Sequence, residues 1–102
     1  MIKYVLYLGL NDKNTKKQEV NTLDAYKIVS NLLLKYTDGA TIFEARGIYK
    51  HDDGTFVIEN TLRIELLFVN YENIIDIVEQ LKALFNQESI AVSKEEVTSQ
   101  LM

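Results

Sequence analysis

Residues 41–69 read TIFEARGIYK-HDDG-TFVIENTLRIELLFV, two runs of mixed apolar and charged residues separated by a short polar stretch that ends in glycine. This is the signature of a β-hairpin: strands over 41–50 and 55–69, with His51-Asp52-Asp53-Gly54 as the turn. If Lys50 faces Thr55, then Tyr49 faces Phe56, Gly47 faces Ile58 and Phe43 faces Leu62. One side of the hairpin then collects these residues with Ile64, Leu66 and Phe68 and is expected to pack against helices. The other side collects Glu44, Arg46, Glu59, Arg63 and Glu65, with Arg46 across from Glu59 and Glu44 diagonal to Arg63. Charges of alternating sign suit cross-strand pairs, and a slip by one residue would turn every side chain to the other side.

The rest of the chain completes a pattern around this hairpin. Residues 2–10 are apolar on both alternating sides, as a central strand requires. Residues 11–20 are polar and aperiodic and read as a loop. Residues 22–36 repeat apolar positions (Leu23, Tyr26, Val29, Leu33, Tyr36) at helical spacing, with Asn21 or Thr22 as N-cap and Gly39 past the stop. Residues 71–86 repeat the pattern with Asn70 as cap and Ile74, Ile77, Val78, Leu81 and Leu84/Phe85 as stripe. Residues 89–93 read as a short last strand. The order is that of an α+β, ferredoxin-like βαββαβ sandwich: an antiparallel sheet with two helices on one face and strands one and three central. Residues 1–93 are expected to form a single domain, with 94–102 as a tail.

Composition narrows the function. The chain has 102 residues, 47% of them apolar, and a net charge of −4, with no cysteine or proline. That excludes disulfides, thiolate metal sites and a thiol nucleophile. The scattered, outnumbered basic residues disfavour nucleic-acid binding. No apolar run reaches the ~18 residues of a membrane helix, and no cleavage site follows the first strand, so a cytoplasmic protein is expected. The make-up suits a low-GC bacterium or its phage.

The segment 39–50 (GATIFEARGIYK), Asp53-Gly54, the stretch 57–62 (VIENTL) and 84–90 (LFNQESI) together resemble the DUF3574 family. Its members carry a G-x-T-V…G-x-W…DG…E-x-S hairpin and a later F-x-Q-E-S-V segment. Tyr49 stands where the family favours tryptophan. The resemblance implies the fold and carries no activity with it.

Candidate sites follow from side-chain chemistry. Arg46, Glu59, Arg63, Glu44 and Tyr7 lie on the expected open sheet face, a surface for homo-oligomer contact or a polar ligand. Gln87, Glu88 and Ser89 either present hydrogen-bonding groups or cap the second helix. Lys13, Lys16 and Lys17 form a basic loop suited to an anion. His51, Asp52 and Asp53 are too tightly spaced to converge on a metal, so no metal or other cofactor is expected. No nucleophile–base pair assembles, and arginines interleave the carboxylates, which keeps them ionised. The reading favoured is a non-catalytic binding or regulatory protein, a homo-oligomer that binds a small polar or anionic ligand or a protein partner. The alternative is a small enzyme with its site between subunits, built from Arg46, Glu59, Arg63 and Gln87.

Overall fold

A computed structural model describes residues 1–50 and 53–102. The elements are β1 (Ile2–Gly9), α1 (Thr22–Leu33), β2 (Thr41–Lys50), β3 (Phe56–Leu66), α2 (Tyr71–Leu84) and β4 (Ala91–Glu96). The four strands form one antiparallel sheet in the order β2-β3-β1-β4. This is the expected ferredoxin-like arrangement, with β1 and β3 central. β4 continues to Glu96, beyond the expected end at Ser93. No helix among the described residues is long and apolar enough to cross a membrane.

Both helices begin where their caps dictate. The Asn21 side chain accepts from the Asp24 amide, and that of Asn70 accepts from the Asn73 amide, each at 2.9 Å. Such a cap contributes about 1 kcal/mol. α2 ends on Asn86 in the left-handed region (φ 48°), with the Gln87 amide returning to the Lys82 carbonyl, a closure that asparagine tolerates better than most residues. The core joins Leu6 and Leu8 of β1, Leu62, Ile64 and Leu66 of β3, Ala25, Val29, Leu32 and Leu33 of α1, and Ile74, Ile77 and Leu81 of α2. The expected α1 stripe is rotated: Leu23 and Tyr26 are exposed, and Ala25 and Leu32 take their places. A small alanine lets the helix approach the sheet closely, and its side is therefore the buried one. Leu84 is likewise exposed, while its neighbour Phe85 is buried.

The hairpin forms in a different register from the one expected. Lys50 pairs with Phe56, Ile48 with Ile58, Arg46 with Asn60, and Phe43 with Arg63. Asp53 supplies the physical reason. Its Oδ1 accepts from both the amide and the hydroxyl of Thr55, at 2.9 and 2.6 Å, and so draws Thr55 into the turn. The even residues of β2 and β3 therefore share the helix side. Glu44 and Arg46 lie there, exposed, beside Ile42, so the Arg46–Glu59 and Glu44–Arg63 checkerboard does not form. Phe43, Ala45 and Gly47 lie on the open face instead.

β2 and β3 also outrun their neighbours. β1 ends opposite Thr61, so the stretch 56–60 pairs only with 46–50 and makes a two-stranded arm. At its root, the Asn60 carbonyl accepts from the Leu10 amide at 3.0 Å, and the Asn60 side chain donates to Gln18 at 2.8 Å. Ile48, Phe56 and Ile58 lie on the arm's helix-side surface, beyond the helices, and are 60–69% exposed.

Candidate functional site

At the root of the arm, where the sheet narrows from four strands to two, Glu59 stands on the open face. Its Oε2 accepts from the Asn11 amide at 3.1 Å. The carboxylate lies across Gly9: a Cβ built there would stand 2.5 Å from Glu59 Oε1. Glu59 is flanked in the ladder by Gly47, where a Cβ would come within 3.0 Å of Thr61 Oγ1. Two glycines thus leave a shallow floor around one anchored carboxylate. A side chain at Gly9 would displace the Glu59 carboxylate from the place it occupies.

The segment 86–89 meets the same point from the other side. The Gln87 side chain donates to the Asn11 carbonyl at 2.7 Å, while the Asn11 amide donates to Glu59. Asn86 donates to Asp12 Oδ2 at 3.0 Å and accepts from the Lys13 amide. Asp12 also accepts from the amides of Thr15 and Asn14. These hydrogen bonds, with that from Thr15 first, hold its carboxyl below the usual carboxylate value. Asn11 thereby ties Glu59 to Gln87, two of the expected site residues that are far apart in sequence. Glu88 and Ser89 follow, both exposed. The joining role of Asn11 was invisible in the sequence, because it acts through its backbone.

A second group lies farther along the open face. Phe43, Arg63, Tyr7 and Ala91 form one row across all four strands. The Arg63 guanidinium carbon is 5.4 Å from the Phe43 ring centre and 6.0 Å from that of Tyr7, within cation–π range. Arg63 Nη1 also pairs with Glu65 Oε2 at 2.8 Å. A hydrogen bond from Arg63 is the main cause that lowers the Tyr7 phenol below its ordinary value. Arg63 is therefore bound to its own neighbours rather than aimed at Glu59.

The remaining expected site residues stay apart. Arg46 and Glu44 lie on the opposite side of the sheet. Lys13, Lys16 and Lys17 are exposed in the loop 11–20, and the Lys16 ammonium donates to the Lys13 carbonyl. No cluster of metal-ligating side chains occurs among the described residues. His51 and Asp52 lie outside them.

Residues 3–101 match the family described as "Protein of unknown function (DUF3574)", and the chain belongs to that family. No curated protein matches it. Two solved structures share the fold. A phage SAM lyase in complex with S-methyl-5'-thioadenosine is 22% identical, with a TM-score of 0.67 over 93% of this chain and 80% of its own. A phage SAM lyase in its apo state is 20% identical, with a TM-score of 0.68 over 92% of this chain and 78% of its own. At such identity the likeness establishes the fold. Both are structures of an enzyme, which overturns the expectation of a non-catalytic binding protein.

Proposed function

We propose that this DUF3574 protein is a lyase of sulfonium nucleosides of the SAM type, with Glu59 at the centre of its site. The observation that carries the reading is the anchored carboxylate on a glycine floor, where Asn11 links the two family segments, 57–62 and 84–90. The fold shared with a SAM lyase supplies the substrate class.

The chemistry explains why no acid–base pair is visible. In S-methyl-5'-thioadenosine the sulfur keeps its methyl group and its nucleoside, so the bond that breaks joins sulfur to the amino-acid arm. Without water, the arm's own carboxylate closes on the carbon that sulfur leaves. One C–O bond forms, one C–S bond breaks, the electron pair stays on sulfur, and no proton moves. A sulfonium and a carboxylate cancel each other's charge, so the transition state is less polar than the substrate. Such a reaction is helped by orientation and by exclusion of water, not by a tuned base. Glu59 would hold the arm's ammonium group and leave the arm's carboxylate free to turn inward.

A single chain leaves this face open. The arm presents Ile48, Phe56 and Ile58 to solvent, and isolated two-stranded ribbons are marginally stable. One neighbouring copy packed on the open face would cover the Glu59 site, and another seated on the helix-side surface of the arm would cover these residues, making the enzyme a cytoplasmic homo-oligomer with sites between subunits.

The test is incubation of the purified protein with SAM, followed by chromatographic detection of methylthioadenosine. Glu59→Gln keeps the acceptor for Asn11 and removes the charge; its turnover should fall about 100-fold, the scale for losing one fixed electrostatic contact. No product from the wild type, or equal turnover by Glu59→Gln, overturns the proposal.

A further inference from the structure

The end of the sheet away from the arm holds a cleft of about 630 Å³ between the C-terminal end of α1, the entry to β2 and the exit from β3. That lies within the ~300–1,000 Å³ typical of small-molecule sites. Its lining includes Leu34, Tyr36, Thr37, Asp38, Glu65 and Phe68. Phe68 has φ 62° and remains 54% exposed. A bulky aromatic residue in the left-handed region is a true outlier, and such strain concentrates at ligand sites. Glycine or asparagine would make the same turn without the strain, and would still let buried Val69 point into the core. What only phenylalanine adds is a ring at the cleft. A second ring is fixed there, because the Tyr36 hydroxyl accepts a hydrogen bond from the Gln80 side chain. Asp38 makes no hydrogen bond or ion pair among the described residues and stands at the rim as a free acceptor.

The geometry points to this cleft as a binding site for a flat heteroaromatic ring that carries an amino group, of nucleobase size, with Phe68 as the stacking surface and Asp38 as the acceptor for the amine. It is separate from the Glu59 site: Glu65, which lines the cleft, lies six residues along β3 from Glu59, or about 20 Å. One nucleoside cannot span both, and the inference stands whether or not the protein is a lyase.

Adenosine is the probe. Titrated into isotope-labelled protein, it should shift the amide resonances of Leu34, Tyr36, Asp38 and Phe68 and leave those of Asn11 and Glu59 in place until higher concentration. Phe68→Gly should weaken this binding roughly 10-fold, the scale of one lost base–aromatic stack. Because glycine accepts the left-handed φ, the melting temperature of this variant should not fall. Should Phe68→Gly prove unstable, Phe68→Asn supplies the same test. Shifts confined to the Glu59 region, undiminished affinity in the Phe68 variants, or no shift at millimolar adenosine would each overturn the assignment.

Discussion

The two halves of β3 obey the same alternation and meet opposite fates. In the sheet body, Leu62, Ile64 and Leu66 point to the helix side and are fully buried; in the arm, Phe56 and Ile58 point the same way and are 63% and 60% exposed. Nothing in the local pattern separates them. The difference lies overhead: α1 and α2 cover the body and stop short of the arm. Alternation selects a side of the sheet, whereas burial depends on how far a distant helix reaches.

The sharpest way to break this comparison is to substitute one residue from each half. Leu62→Ala should destabilise the chain by about 2–5 kcal/mol, as buried leucines do. Ile58→Lys should alter the stability of an isolated chain by no more than about 0.5 kcal/mol. Denaturant melts read both values. In native mass spectrometry, Ile58→Lys should dissociate the proposed oligomer, and an unchanged assembly would remove the arm from the interface.

The junction between the halves gives the next effect. Gly9→Ala places a methyl group where the Glu59 carboxylate lies. The carboxylate is the far end of a flexible chain and can swing away, so the cost is the Asn11 hydrogen bond, about 1 kcal/mol. Turnover should fall as far as in Glu59→Gln while the fold persists. A Gly9→Ala protein with full activity would mean that the anchored position of Glu59 is irrelevant.

The smallest effect belongs to the body's open face. Tyr7 has a folded pKa below its ordinary 10.0, chiefly through Arg63. Its ionised form is the one favoured by folding. The stability it adds is therefore present above the unfolded pKa and is lost as pH falls through the lowered folded value. Ultraviolet titration of the wild type against Tyr7→Phe should show Tyr7 ionising below its ordinary value, and Arg63→Met should raise it.

The architecture was legible because several local signals agreed. Asn21 and Asn70 announced their helices, the doubly apolar run 2–10 announced a central strand, and Asp53-Gly54 announced the hairpin. Register was not legible, because β2 carries apolar residues on both sides: Ile42 and Ile48 on one, Phe43 and Ala45 on the other. The deciding contact was the bond from Thr55 to Asp53, which lengthens the connection by one residue. Of the site, Glu59 and Gln87 were visible as polar residues in marked segments. Their connection was not, since Asn11 joins them through an amide and a carbonyl that every non-proline residue possesses. The enzyme reading stood only as the alternative in the sequence, and the proposed reaction accounts for that: one that moves no proton calls for no acid–base pair.

Asn60 clamps the arm to the body with its carbonyl on Leu10 and its side chain on Gln18. Mechanically, the arm is a cantilever with its fixed end at that residue. A load at the tip produces its greatest bending moment at the root, and Glu59 is the neighbour of that root. In the proposed enzyme, whatever seats against the arm would therefore set the angle of the carboxylate, and the arm would be the lever through which a second copy reaches the site.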